Sequence, residues 1–329
     1  MHTDIDDHLI FSPAMRQLNA IIAEIEGANL GVIARRKALF SSIKLPSTDG
    51  LRISKAMLAM YKQEAARKLT NKALLESGSS MPPIDGSIMA IVGESHVGKS
   101  ESVKIFGSYV LPNAGLKLGS RPMVYASLRG GANVKSMWES VLNGFGDPEP
   151  AGSRTALEMR VLKLAEAHST HLLVIDEASN LTSRTRESPA LIDSLKRTVQ
   201  GNGVSLVLIG LKDEMNTILR DAQVVNRMFD RIEVEKCNFE DAESRAQFQT
   251  FVSGLDSAMV RWAIFEEYSG LSEQETLMTL FSASEGRIGL AYRIVEHAIS
   301  AARSDARRLV HSDIQDAAQK YLRLRSLVP

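Results

Sequence analysis

Three kinds of hydrophobic patterning follow one another along the chain. In the first 86 residues the apolar positions recur at helical spacing: Met15, Leu18, Ile21, Ile22 and Ile25 lie on one stripe. A second run, Ile53 to Leu75, is rich in Ala, Lys, Leu and Met, residues that favour helix. Loop signals at Leu45–Gly50 and Ser77–Pro83 bracket that second run. Between 87 and 238 the pattern changes. Short apolar runs at Ile88–Val92, Met123–Leu128, Leu172–Ile175 and Val204–Ile209 alternate with helical patterns over Lys99–Tyr109, Lys135–Phe145, Ala156–His168 and Leu191–Gln200. Strands alternating with helices predict βαβ units and a parallel central sheet flanked by helices on both faces. From Glu240 onward the pattern is helical only, with Ile288, Ala291, Ile294, Val295 and Ala298 on one stripe. The expected organisation is an N-terminal helical extension over 1–86, an α/β domain over 87–238 and a C-terminal helical lid over 239–329.

The first candidate chemistry lies where the first predicted strand meets the first helix of the α/β region. Gly93-Glu94-Ser95-His96-Val97-Gly98-Lys99-Ser100 fits G-x-x-x-x-G-K-[ST] in full. Glycines let a backbone wrap closely around phosphate oxygens, and the following helix start at Glu101 presents unpaired N–H groups to an anion. In such a phosphate-binding loop Lys99 pairs with the β- and γ-phosphates of ATP, and Ser100 ligates Mg2+. His96 occupies a variable position and is assigned no side-chain role. The second candidate is His171-Leu172-Leu173-Val174-Ile175-Asp176-Glu177, an apolar strand ending in two acids. Ligands of parallel sheets bind outside the carboxyl ends of the strands, so Asp176 falls where it would orient Mg2+ and Glu177 where it would activate a water as general base. Such an acid pair points to nucleotide hydrolases of the AAA+ type rather than small-molecule kinases, which need no water activation. Two surface acids after a strand are the competing reading.

An AAA+ protein uses further polar groups. Its next strand usually ends in a polar sensor of the γ-phosphate. Here Val204–Gly210 is followed by Leu211, Lys212 and Asp213, so that sensor is weak or replaced, and Ser205 lies too early on the strand. In Asn226-Arg227-Met228-Phe229-Asp230-Arg231, Arg227 is the first and Arg231 the second candidate for an arginine projected toward a neighbour's ATP; a helix-capping surface arginine is the alternative. In Ser284-Glu285-Gly286-Arg287-Ile288-Gly289, Arg287, or else Arg293, is the candidate second phosphate sensor.

Charge limits the possible partners. Lys+Arg and Asp+Glu balance at 39 each, which argues against binding nucleic acid by bulk charge. The balance is local as well as global: residues 1–86 hold 11 basic and 9 acidic groups, 87–238 hold 18 and 17, and 239–329 hold 10 and 13. Two short stretches are nevertheless basic. Arg129–Lys135 follows the second predicted strand, and Thr182–Arg186, with Arg184 and Arg186, follows the acidic strand end. In a ring or filament these loops would line a pore and offer phosphate contacts repeated on every subunit; solvated loop charges are the alternative. Near-neutrality then suits a protein that binds DNA only once assembled, since affinity comes from repetition. The single cysteine, Cys237, excludes an internal disulfide and fits a reducing compartment. The acidic start lacks the apolar core of a signal peptide, and no apolar stretch approaches the roughly 20 residues of a membrane span. A cytoplasmic location is expected.

Taken in order, Gly93–Ser100, Leu172–Asn180 (LLVIDEASN), Leu206–Gly210 (LVLIG), Asn226–Phe229 (NRMF) and Glu285–Arg293 (EGRIGLAYR), with Val141–Asp147 (VLNGFGD) ahead of the acidic strand, resemble the TniB/TnsC group of transposition ATPases within AAA+. The resemblance spans roughly 85–320, and Leu211 departs from it where the group usually has Thr. It implies an ATP- and Mg2+-dependent regulator that oligomerises on double-stranded target DNA as a filament or ring. It further implies recruitment of a DDE-type transposase together with a target-selection protein, with hydrolysis driving disassembly. A replication initiator or helicase loader is the alternative, and a slow signalling switch is a third reading.

Overall fold

A computed structural model of the protein describes residues 20, 22–25, 27–28, 30–111, 120–181, 188–201 and 203–326. The helices are α1 (Val32–Ser42), α2 (Thr48–Glu76), α3 (Lys99–Ile105, continuing into a π-helical turn, Phe106–Val110), α4 (Val134–Gly144), α5 (Arg154–Ala167), α6 (Ser188–Val199), α7 (Lys212–Leu219), α8 (Ala222–Val225), α9 (Ala242–Arg261), α10 (Gln274–Ser284), α11 (Ile288–Ala301) and α12 (His311–Ser326). The strands are β1 (Ile88–Gly93), β2 (Met123–Ser127), β3 (Leu172–Asp176), β4 (Ser205–Gly210) and β5 (Met228–Val234). Met15, Leu18 and Ile21 of the first predicted stripe lie outside the described residues.

The five strands form one parallel sheet in the order β2-β3-β4-β1-β5. The central strands β1, β3 and β4 are buried at every position, which is why each reads as a largely apolar run. The fifth strand is not visible in that pattern. The sequence reading treats Asn226–Arg231 as the segment after a helix, whereas Met228–Val234 pairs with β1 at the sheet edge. An edge strand has a solvent side, and Asp230 and Arg231 on it interrupt the apolar run.

The chain forms two compact units that interleave along the sequence. One gathers residues up to Leu51, His96–Gly98 and the chain from Glu235; the other gathers Arg52–Ser95 and Lys99–Val234. The segment 1–86, expected as one extension, is therefore divided at 51/52 between them.

In the sheet-containing unit, Ile88, Ala90, Val92, Leu173, Ile175, Leu206 and Leu208 form one core with Met137, Trp138, Val141 and Leu142 of α4, Leu157 and Val161 of α5 and Leu191 and Leu195 of α6. Helix α2 belongs to this unit from Arg52 onward and buries Ile53, Met57 and Met60. Its polar side reaches the amino-terminal end of the sheet. Arg67 ion-pairs with Glu64 and donates to the carbonyls of Ile84, Gly201 and Gly203 at 2.7, 2.6 and 2.7 Å, while Ser205 donates to Glu64 at 2.6 Å. Both ionic side chains are almost fully buried.

In the other unit α1 packs with the C-terminal helices. Leu39, Phe40 and Ile43 share a core with Phe248, Leu255, Leu280, Ile294 and Ile314. Arg36 donates to the carbonyls of Ile264, Arg303 and Ala306 at 3.0, 2.9 and 2.5 Å. No helix of the described residues is long and apolar enough to cross a membrane.

Candidate active site

The site grows from the carboxyl ends of β1 and β3. Gly93 closes β1 against β5: a Cβ there would lie 2.0 Å from the Val234 carbonyl oxygen, so only glycine fits. Gly98 has φ +102 and nothing within 4 Å of where its Cβ would stand, leaving a bare backbone turn ahead of α3. His96 has φ 65 with its side chain exposed; Glu94 and Ser95 are also exposed, Val97 is buried, and Glu101 stands in the first turn of α3. Lys99 turns back over the loop and donates from Nζ to Gly93 O at 2.8 Å and Glu94 O at 2.5 Å. Burial pulls its ammonium below the ordinary lysine value, while the charges of Glu177, Asp176 and Glu94 act the other way.

At the end of β3 two neighbouring acids face different surroundings. Asp176 is buried; its Oδ1 accepts from the Glu177 N–H at 2.8 Å and its Oδ2 from the Tyr125 hydroxyl. Glu177 is exposed and held at φ 55, a left-handed conformation that costs a non-glycine residue of order 1–3 kcal/mol and gathers at functional sites. Tyr125 enters from β2. Its register partner on β3 is Val174, so the ring points along the same sheet face as Asp176 two residues further on. Lys104 of α3 lies over its ring at 5.5 Å. Burial, then the bond to Asp176 and that carboxylate's charge, push the phenol far above its ordinary value. Lys99, Ser100, Asp176 and Glu177 are thus brought into one cluster, and Tyr125 joins them. The sequence reading missed Tyr125, which stands 51 residues from Asp176 and carries no motif; only the β2–β3 register brings it in.

The donor set fits a magnesium nucleotide. Among the described residues no group of three His, Cys, Asp or Glu could hold a metal on its own. Mg2+ bound through one hydroxyl, one carboxylate and phosphate oxygens needs no such cage. At the carboxyl end of β4, Gly210 lies against Met215: a Cβ on it would come within 2.7 Å of Met215 Cγ. Leu211 caps α7 without a side-chain hydrogen bond, and Ser205 is engaged with Glu64 and Ser87 at the other end of the strand. Lys212, just beyond Leu211, pairs with Glu233 at 2.9 Å.

Arg227 and Arg231 make their contacts elsewhere in the sheet-containing unit. Arg227 precedes β5, and its carbonyl accepts from the Ile88 N–H that begins β1, so it lies at the amino-terminal end of the sheet. There its guanidinium meets Asp85 at 3.2 Å and the Gln223 carbonyl at 3.2 Å. Arg231 is exposed on edge strand β5 and pairs with Glu233 at 3.2 Å. Arg129 and Lys135 are exposed on either side of the turn before α4, with Lys135 3.6 Å from Glu139. Arg184 and Arg186 lie outside the described residues. Arg293 is exposed on α11.

Arg287 is the N-cap of α11 and ion-pairs with Glu285. Two glycines hold it in place within its unit. A Cβ at Gly286 would meet Cys237 O at 2.0 Å, and one at Gly289 would meet His96 O at 2.6 Å; the Gly289 N–H donates to that same carbonyl at 2.9 Å. Because the obstacle is backbone, Gly289→Ala is expected to destabilise the protein by about 1–3 kcal/mol. Chemical denaturation beside Gly130→Ala, whose Cβ meets nothing within 4 Å, checks this; equal midpoints would refute the close approach.

A parallel sheet in this order, a glycine loop after the inner strand β1 and an acid pair at the end of β3 define an AAA+ P-loop ATPase architecture. The family model described as "Bacterial TniB protein" matches residues 51–238. The chain belongs to the TniB family. Among solved structures it resembles the ORC1 protein of Aeropyrum pernix in complex with DNA (TM-score 0.57, 14% identity, 86% of this chain and 68% of that one). It also resembles the ORC2 protein of the same organism in ADPNP–ADP complexes (0.54, 12%, 79% and 67%) and Cdc6p from Pyrobaculum aerophilum (0.53, 16%, 82% and 70%). At these identities the likeness is one of fold. No curated protein matches the chain.

Proposed function

We propose that this protein is an ATP-hydrolysing AAA+ protein that binds duplex DNA and assembles with copies of itself in a nucleotide-dependent way, in the manner of a replication initiator or helicase loader. The single observation that carries the ATPase part is the convergence of Lys99, Ser100, Asp176 and Glu177 at the carboxyl ends of β1 and β3. Residues Gly93 to Glu101 would hold the triphosphate, with Lys99 leaving its two carbonyl partners for the phosphate oxygens. Ser100 and Asp176 would hold Mg2+, which when bound neutralises charge on the phosphates. Glu177, exposed beside the buried Asp176, would take the proton of the attacking water. Arg287 would read the phosphates from the start of α11. Arg227, or Arg231, would act on a neighbour's nucleotide; an arginine at the end of the sheet away from its own P-loop suits that task, and leaving Asp85 would be part of assembly. Nucleotide bound between copies stabilises the assembly by linkage.

The likeness to initiator proteins, one of them solved with DNA, supports the initiator-like mode. Membership of the TniB family favours a second reading for the client, in which the same DNA-bound assembly regulates transposition by recruiting a DDE-type transposase, with a target-selection protein choosing the site. Electron microscopy of the protein with duplex DNA and a non-hydrolysable ATP analogue separates them. A closed hexamer supports the loader, a continuous filament supports the transposition platform, and no nucleotide-dependent assembly overturns both.

DNA would meet the exposed loop cations. Arg129→Ala with Lys135→Ala is expected to abolish ATP-dependent duplex binding, because each lost phosphate contact is lost on every subunit. Nucleotide affinity should be unchanged. Fluorescence anisotropy with labelled duplex at matched salt checks it; wild-type DNA affinity in the double variant removes this site.

A further inference from the structure

The Tyr125 hydroxyl has one proton, and the geometry spends it on Asp176 Oδ2. One consequence follows for a divalent cation at this place. The carboxylate of Asp176 is held at both oxygens, by Tyr125 on Oδ2 and by the Glu177 N–H on Oδ1 at 2.8 Å, which fixes its rotation. Each of its oxygens accepts one hydrogen bond and keeps a lone pair for a cation. The ring that carries the phenol is held by its place on β2 and by Lys104 above it.

We propose that Tyr125 is the positioning residue of the magnesium site: it orients Asp176 by donating its hydroxyl hydrogen bond to Oδ2. This rests on the reading that Ser100 and Asp176 hold Mg2+ with ATP. Groups that orient metal ligands typically change metal affinity by about 10–100-fold when removed. Tyr125→Phe keeps the ring and its packing and deletes only the hydroxyl. In this variant Asp176 loses its donor at Oδ2 and its carboxylate is no longer held at both oxygens.

The test measures equilibrium binding of a fluorescent ATP analogue to the full chain, in EDTA and across a Mg2+ titration. The variants are wild type, Tyr125→Phe, Ser100→Ala and Asp176→Asn. Tyr125→Phe is expected to bind nucleotide as wild type does in EDTA and to require about 10-fold or more Mg2+ to reach half of the magnesium-dependent gain. A general loss of structure would instead lower affinity under both conditions. If Ser100→Ala and Asp176→Asn lose the magnesium dependence while Tyr125→Phe keeps the wild-type midpoint, the proposal falls and the reading of the metal site stands. If wild-type binding does not respond to Mg2+, both fall.

Discussion

Replacing Glu177 by Gln is expected to slow ATP hydrolysis by about 100- to 10,000-fold, the range that a positioned general base contributes, with nucleotide binding intact. The two acids at the end of β3 have divided surroundings. Asp176 is buried and bonded at both oxygens, so its carboxylate is held in place by its neighbours. Glu177 turns outward at φ 55 and is exposed, free to meet a water lined up beyond a bound phosphate. Gln has the size of Glu and keeps the backbone N–H that Asp176 accepts, but its amide cannot take a proton. The substitution therefore removes the proposed base and leaves the turn. The variant is expected to accumulate ATP-bound assemblies, since the step that would end them is slowed. Single-turnover hydrolysis with particle-mass measurement reads both effects. Turnover at the wild-type rate would remove Glu177 from the mechanism.

Arg67→Met is expected to cost the most stability of any single change considered, about 3–5 kcal/mol, the penalty for stranding one partner of a buried ion pair. Glu64 and Arg67 lie one turn apart on α2 with side chains 2% and 6% exposed. Arg67 also satisfies three backbone carbonyls, those of Ile84, Gly201 and Gly203. Met fills much of the same volume and answers none of these groups. Removing the charge as well, in Glu64→Leu with Arg67→Met, is expected to cost less than Arg67→Met alone, because no unpaired charge is left inside. Urea denaturation of the three proteins measures the order. An Arg67→Met midpoint equal to wild type would show that the pair does not hold α2 to the sheet's amino-terminal end.

The expectations that came through best depend on short-range pattern. A parallel strand buried on both faces is apolar along its middle, so β1, β3 and β4 are legible as runs, with Asp176 and Ser205 polar only at strand ends. The loop that joins β1 to α3 is contiguous, so the Gly93–Ser100 motif is legible as a word. The lid helices follow from stripes such as Ile288 to Ala298. Where the pattern is diluted by solvent the reading weakens. β5 carries Asp230 and Arg231 on its open side and passes for a loop, and α2 reads as an independent extension because nothing local says that Glu64 and Arg67 are buried.

The positions of contiguous residues, the Gly93–Ser100 loop after β1 and the Asp176-Glu177 pair at the end of β3, could be read from residue order alone, because local geometry places such groups where the chain turns from strand to loop. Pairings across the fold could not. That Tyr125 meets Asp176, that Arg227 faces Asp85, and that Gly289 must be bare because the His96 carbonyl lies against it all follow from strand register and helix docking. Those are set by how whole elements pack, a sum over many distant contacts that no window of sequence contains.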